Sequence, residues 1–458
     1  MAVYFGTDGI RDKAEVFTPE FIQKIVIGLG RYAGTGVEAE SGAERPMRVL
    51  LGGDTRESTE WILRDFEEAF ETIGVDHGNV GVLPTPGINY AFYEMGYDLA
   101  VDVTASHNPF SDNGVKIFER GEKNGKKLGE LGVDFVEEAL KKGQALNVQT
   151  TELAEDLHED ALELYLTHLK KYATMIGPAD EKLRKDLDFG GVKIGLDCAN
   201  GATGVVAKRV FEELGAEVAV INCDDHYGRK INQGCGSTDL TMLRKLVSER
   251  GLDFGAAFDG DGDRCMMIDA EGNEVDGDQM LAILAEYLGL KKVATTVMAN
   301  QGLLNWGIEK GVEIEITDVG DQNVAAAMRD KGILLGAEQS GHVILPGESV
   351  GDGVLTALVM TKVITGGKKD LTELSKVMKK MPQTLVNVKV SGEIKKRFRD
   401  GGMNSVLADY ENTINERGWR MLVRASGTEN LIRVTLWGDD KNKIESMAQE
   451  IAEKIKQA

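Results

Sequence analysis

Apolar runs and polar punctuation alternate along this chain in a device that occurs three times. Arg48-Val49-Leu50-Leu51 reads as a buried strand, and a helical period begins at about Glu57. Asp98-Leu99-Ala100-Val101-Asp102-Val103 then reads as a strand running into Thr104-Ala105-Ser106-His107-Asn108-Pro109. The second copy opens with Val192-Lys193-Ile194-Gly195-Leu196 and ends where Phe254-Gly255-Ala256-Ala257-Phe258 enters Asp259-Gly260-Asp261-Gly262-Asp263-Arg264. The third opens near Lys292-Val293 and ends where Ile333-Leu334-Leu335-Gly336 enters Ala337-Glu338-Gln339-Ser340-Gly341-His342. Strands separated by helices build mostly parallel sheets, whose binding loops lie beyond the carboxyl ends of the strands. The pattern therefore predicts an α/β protein with three similar mixed or parallel α/β domains at residues 1–150, 151–265 and 266–367. Charged helix formers between Leu140 and Lys185 read as a helical connector. After Thr365-Gly366-Gly367-Lys368 the pattern changes. Strand-like Leu385-Val386-Asn387-Val388-Lys389-Val390 and Leu431-Ile432-Arg433-Val434-Thr435-Leu436 flank further helices, predicting a smaller C-terminal α+β domain over residues 368–458.

Composition narrows the function classes. Acidic side chains number 75 against 53 basic ones, a formal net charge of -22. Such a field repels a phosphate backbone, so nucleic acid is excluded as a partner, and an anionic ligand must be drawn in by local clusters of Arg, Lys and backbone amides. Four cysteines, Cys198, Cys223, Cys235 and Cys265, form no Cys-x-x-Cys pair, which argues against a zinc ribbon or disulfide framework and fits a reducing compartment. No run of about 18 apolar residues and no basic-then-apolar leader occurs, so a cytoplasmic protein without a membrane span is expected.

The three loops at strand ends carry the chemistry. Asp259, Asp261 and Asp263 alternate with glycines, which lets a short loop curl until three carboxylates face one point, and a divalent cation is what such a point needs. A solvated acidic turn is the bland reading. A calcium EF-hand would require Gly where Arg264 sits and Glu where Ala270 sits. Hard oxygen ligands beside an anion-handling site favour Mg²⁺. In the first loop the Asn108-Pro109 turn can hold Ser106 exposed at a strand end. Ser106 beside His107 suggests a nucleophile, although no Gly-x-Ser-x-Gly elbow is present and a locally bonded turn would explain the segment if it stood alone. Arg424-Ala425-Ser426-Gly427-Thr428-Glu429, followed by Arg433, offers two guanidinium groups, two hydroxyls and a Gly amide that a phosphate could collect. Glu338 and Ser340 suit sugar hydroxyls, which need acceptors and donors together. Lys116 and Arg11 are further cations near the first loop.

Taken together and in this order, these segments resemble the α-D-phosphohexomutase family over almost the whole chain. Thr104 to Pro109 looks like its phosphoserine loop, Asp259 to Arg264 its metal loop, Glu338 to His342 its sugar loop, and Arg424 to Glu429 its phosphate loop. The resemblance implies four domains around a central cleft and an enzyme that is a monomer or homodimer. It implies Ser106 as the phosphoryl carrier and, with Asp259, Asp261 and Asp263, a ligand of Mg²⁺. His107, Lys116, Arg11 and Arg264 would be catalytic, and Glu338, Ser340, Arg424, Ser426, Gly427, Thr428 and Arg433 would bind the substrate. Within the family, Phe5-Gly6-Thr7-Asp8-Gly9-Ile10-Arg11, Cys235-Gly236-Ser237-Thr238 and Glu338-Gln339-Ser340-Gly341-His342 are most similar to members acting on hexosamine phosphates; other members act on mannose or glucose phosphates. Ala337, Gln322, Ala425 and Asn430 depart from the usual family residues and bear on substrate identity and phosphate affinity more than on the chemistry. A metal-dependent sugar phosphatase would use the same Ser106 and metal loop. A non-catalytic metal-binding module would use the aspartates alone.

Overall fold

Leu99–Val103 is buried at every position, as a strand covered by helices on both faces must be. It lies at the centre of the first sheet in a computed structural model that describes residues 4–6, 8–33, 47–121, 124–143, 146, 154–178, 187–223, 227–367, 369–426 and 430–457. These fall into two units, Met1–Thr296 with Glu315–Lys376, and Val297–Ile314 with Val377–Ala458.

In the first unit, the sheet runs in the order Phe5–Gly6, Gly9–Lys13, Asp112–Arg120, Leu99–Val103, Arg48–Gly53, Asp76–Val82, Glu155–Asp156, with Gly125–Lys127 paired to Asp112–Arg120. Arg48–Gly53 is parallel to both its neighbours, whereas Asp112–Arg120 returns antiparallel beside Leu99–Val103 and sets Lys116 opposite Asp102. The helix expected from Glu57 spans Glu57–Thr72 and buries Phe66 and Phe70 with Val101, Ile25 and Val136. The second sheet repeats the device: Glu217–Ile221, Lys193–Asp197 and Phe254–Phe258 are parallel, and Cys265–Asp269 returns antiparallel beside Phe254–Phe258. The connector helix is His158–Met175.

The third copy departs from the pattern read in the sequence. Its strand is Gly336–Ala337, parallel to Lys292–Thr296, and not Ile333 to Gly336. The reason lies in the preceding helix, Asp321–Lys331. It ends on Gly332 at φ 63, and the Ile333 amide donates back to the Met328 carbonyl at 2.8 Å, so the segment is spent closing the helix. Ile333 and Leu335 still fill the core while Leu334 is 54% exposed.

The second unit contains an antiparallel sheet in the order Gln383–Lys389, Leu431–Trp437, Arg420–Ala425, with helices Gly392–Arg399, Asn404–Glu416 and Lys441–Gln457. Val388, Ile432, Val434 and Leu436 meet Ile444, Ile451 and Ile455 in its core. An antiparallel sheet packed with helices in this way is an α+β arrangement. Among the described residues, no helix is long and apolar enough to cross a membrane.

Candidate active site

Two strand ends meet in the first unit. Leu99–Val103 delivers Thr104 to Asn108, and Phe254–Phe258 delivers Asp259 to Arg264. Ser106 Oγ donates to Asp259 Oδ2 at 2.8 Å and lies 3.3 Å from His107 Nδ1. Ser106 is fully buried by protein atoms and sits at φ 51, in the left-handed region that a non-glycine residue enters only when its surroundings impose it. The contact between the loops is close: a Cβ on Gly260 would fall 2.7 Å from the Ser106 carbonyl oxygen and 2.8 Å from Asn232 Nδ2. Gly262, at φ 74, turns the chain between the second and third carboxylates. The glycines of the aspartate loop thus serve approach at one position and curvature at the other.

Asp259, Asp261 and Asp263 are all buried, and one ligand oxygen from each can be chosen so that the three lie within 4.8 Å of one another. Lys116 Nζ lies 2.6 Å from Asp261 Oδ2, 3.1 Å from Asp263 Oδ2 and 3.4 Å from Asp8 Oδ2. Thr85 Oγ1 bonds Asp102 Oδ2 at 2.6 Å and Asp261 Oδ2 at 3.0 Å. Arg264 Nε stands 3.7 Å from Asp263 Oδ1 and 3.9 Å from Asp259 Oδ2. The protein's cations do not finish the neutralisation. Burial first, then Asp261 and Asp263, push the Asp259 carboxyl well above its ordinary value. Asp263 goes the other way: burial opposes ionisation, but Lys116, His342 and Arg264 override it. Asp261 Oδ1 and Asp263 Oδ1 are buried without a hydrogen-bond partner. Three clustered, buried carboxylates, two of them with an unpartnered oxygen, make a donor set that suits a hard divalent cation, and the triad could bind a metal ion.

Of the remaining predicted residues, those in the first unit fall around this centre. Arg264 drives the neighbouring His107 down to about 4, burial and Arg11 adding to the effect, so the imidazole is neutral near pH 7. Arg11 is ion-paired to Asp8. Arg264 and His342 face each other in an isolated bridge, and the Cys265 amide donates to the Gly341 carbonyl at 3.0 Å, which ties the aspartate loop to the Glu338–His342 loop. Glu338 is half-buried and accepts from the Gly320 amide at 3.1 Å; Ser340 is exposed. In the second unit, Arg424 and Arg433 lie directly opposite on adjacent antiparallel strands. Ser426 is buried, donates its amide to the Leu431 carbonyl at 2.9 Å, and accepts at its own carbonyl from Arg399 Nη2 at 3.2 Å. Gly427 and Thr428 lie outside the described residues.

Several members of the site escape sequence reasoning. Asp8 is ringed by Lys116, Lys127 and Arg11, which outweigh its burial and hold its carboxyl far below the usual range. Lys127 joins Asp8 to Asp321, at 2.5 Å from Asp321 Oδ2. His342 Nδ1 lies 3.6 Å from Asp263 Oδ1. Asp54 and Arg56, beyond the end of Arg48–Gly53, brace the serine loop from below. The same rule that singled out the other strand ends points to these two residues as well.

Comparison with known proteins agrees with this arrangement along the chain. Residues 2–145 match the α/β/α domain I of phosphoglucomutase/phosphomannomutase, 163–272 domain II, 276–381 domain III, and 361–454 the C-terminal domain. A phosphoglucosamine mutase from Hydrogenovibrio crunogenus is 40% identical over 99% of this chain and 98% of its own. Among solved structures, a phosphoglucomutase/phosphomannomutase family protein from Burkholderia thailandensis superposes with a TM-score of 0.75 at 19% identity, covering 99% of this chain and 97% of that one. The Aspergillus fumigatus N-acetylphosphoglucosamine mutase, crystallised with GlcNAc-6P and magnesium, gives 0.63 at 16% identity, covering 100% and 96%.

Proposed function

The chain belongs to the α-D-phosphohexomutase family, and from that premise we propose that it interconverts glucosamine 6-phosphate and glucosamine 1-phosphate through a phosphorylated Ser106 and a 1,6-bisphosphate. One observation carries the reading. Ser106 Oγ, held in a left-handed turn, hydrogen-bonds the first carboxylate of a buried triad that lacks a full set of partners.

In the forward direction, O1 of the 6-phosphate attacks the phosphoryl group on Ser106, forming the O1–P bond as the P–Oγ bond breaks. The bisphosphate turns over, Ser106 Oγ attacks the 6-phosphoryl, and the sugar leaves as the 1-phosphate. In each half-reaction the attacking oxygen gives up one proton and the departing oxygen gains one. We assign to His107 Nδ1, neutral and 3.3 Å from Ser106 Oγ, the taking and returning of the serine proton. Phosphoryl transfer depends mostly on positioning and charge stabilisation. Lys116 and Arg264 keep the aspartates oriented, and Arg11 adds positive charge at the Asp8 side. Mg²⁺ is the cation proposed for Asp259, Asp261, Asp263 and Ser106, and when bound it would supply Lewis-acid stabilisation to the transferring group. Glu338 and Ser340 are proposed to read sugar hydroxyls, and Arg424, Ser426, Gly427, Thr428 and Arg433 to bind a phosphate of the sugar. A cytoplasmic enzyme acting on a charged sugar phosphate fits the acidic, cysteine-poor chain.

Glucosamine, glucose and mannose 6-phosphates assayed side by side test the substrate. The expected result is the highest kcat/KM for the glucosamine compound with no net phosphate release. Preference for glucose or mannose phosphate would overturn the substrate reading, and steady release of phosphate would replace the mutase with a phosphatase.

A further inference from the structure

Arg56 is almost wholly buried, and its hydrogen bonds go to neither the aspartate triad nor His107. Its guanidinium donates all its N–H groups inside the protein. Nε reaches Asp54 Oδ2 at 2.9 Å. Nη2 reaches the carbonyls of Ser106 at 2.8 Å and Asn108 at 2.9 Å. Nη1 reaches those of Pro109 at 2.5 Å and Asp112 at 3.1 Å. Four carbonyls of one loop therefore converge on a single planar cation. Asp54 closes the circuit from the other side: its Oδ2 accepts from Thr104 Oγ1 at 2.7 Å, and Thr104 Oγ1 accepts from the Ser106 amide at 2.9 Å. The Ser106 backbone is thus held at its C=O directly by Arg56 and at its N–H through Thr104, whose hydroxyl is bonded to Asp54.

A second brace comes from the loop after Ile231. Asn232 Nδ2 donates to the same two carbonyls, Ser106 at 2.8 Å and Asn108 at 3.1 Å. Two donors, Arg56 Nη2 and Asn232 Nδ2, meet on the carbonyl of this left-handed residue, and the rest of the fork holds three carbonyls that follow it. The φ of 51 at Ser106 is costly without such a frame, and a frame of charge-assisted hydrogen bonds fixes the direction in which Oγ projects.

We propose that Arg56, locked by Asp54 and assisted by Asn232, is a positioning residue for phosphoryl transfer. It holds the Ser106 backbone in one conformation so that Oγ points at the aspartate triad both when it accepts the phosphoryl group and when it gives it up. Only a fork with five donors on a rigid plane can serve four carbonyls and a carboxylate at once; a lysine, with three donors on one nitrogen, cannot. The inference rests on Ser106 being the phosphoryl carrier.

Arg56→Lys, Arg56→Ala and Asn232→Ala are compared with the full-length wild type in kcat, KM for the sugar phosphate, and extent of Ser106 phosphorylation by glucose 1,6-bisphosphate. Arg56→Ala should lower kcat by roughly 100-fold or more with KM within about threefold, because the loop touches the reaction and not the bound sugar phosphate. Arg56→Lys should recover little of this loss. Millimolar guanidinium should restore part of the Arg56→Ala rate, and methylammonium should not. Asn232→Ala, which removes two of the donations to the loop and leaves the ion pair intact, should lower kcat by roughly tenfold. If the Arg56 variants do not fold, Asn232→Ala with guanidinium-independent folding decides alone: an unchanged kcat overturns the proposal. A folded Arg56→Ala with kcat near wild type overturns it too, as does a loss that appears only in KM. Activity retained in Ser106→Ala would instead remove the premise, so the two failures are distinct.

Discussion

The Ser106 loop and the Arg424 strand use arginine in opposite ways. Arg56, below Ser106, spends every donor on one carboxylate and four carbonyls, so its charge is consumed in holding backbone. Arg424 sits directly opposite Arg433, a like-charged cross-strand pair that costs stability. Burial, and then Arg433, pull the Arg424 pKa below its ordinary value, and Arg424 Nε is buried without a partner among the described residues. One guanidinium completes the protein's own structure, whereas the other keeps a buried Nε without a partner among the described residues and is proposed to meet a phosphate.

The comparison breaks most sharply at the residue the frame exists to hold. Ser106→Ala removes the atom proposed to carry the phosphoryl group while keeping backbone, frame and triad, so mutase activity should fall to background with the thermal unfolding transition little changed. Trapping with labelled bisphosphate should show no phosphoenzyme. Full turnover in that variant would mean that the frame positions something else. Next in size is the triad. Asp261→Asn keeps the shape but removes the charge of a carboxylate whose Oδ1 is buried without a partner. It should raise the Mg²⁺ concentration needed for half-maximal rate by at least the roughly 10–100-fold that loss of an outer-shell partner costs a metal site. Wild-type activity that persists in excess chelator would exclude a metal role.

What the sequence disclosed about these two regions depended on how local the signal was. Asp259, Asp261 and Asp263 occupy one hexapeptide, and the glycines that curl it are interleaved with them, so the clustering of the three carboxylates was legible. Ser106 was legible because the strand Leu99–Val103 ends three residues before it. Asp8, Lys127 and His342 come to the site through pairings set by sheet order, such as Gly9–Lys13 beside Asp112–Arg120, and no spacing along the chain encodes that. Asp54 and Arg56 are an intermediate case. They follow the strand Arg48–Gly53 as Ser106 follows its own, but an Asp-Thr-Arg turn resembles any surface turn until its partners are known to be four carbonyls half a domain away. The misplaced strand at Ile333 shows the same limit in the fold. Its apolar pattern is that of a strand, and only the Gly332 turn and the Ile333 bond to Met328 assign it to a helix end.

The smallest expected effect sharpens the other side of the comparison. If Arg424 is a receptor, Arg424→Ala should harm binding and leave chemistry at Ser106 intact. A charge-assisted hydrogen bond to phosphate is worth about 1.5–3 kcal/mol, which corresponds to a rise in KM of roughly 10- to 150-fold. Because the contact is to a phosphate in ground and transition states alike, kcat should change little, and Ser106 should still be phosphorylated by bisphosphate. A second readout separates lost recognition from lost structure. In phosphate-free buffer the variant should be as stable as the wild type or slightly more so, since removing one arginine relieves the like-charge pair with Arg433. Adding inorganic phosphate should raise the wild-type Tm by the linkage of binding to folding, and raise that of the variant less. A variant that loses stability in phosphate-free buffer would make Arg424 a structural residue like Arg56. One that keeps both its KM and its phosphate response would place the phosphate elsewhere.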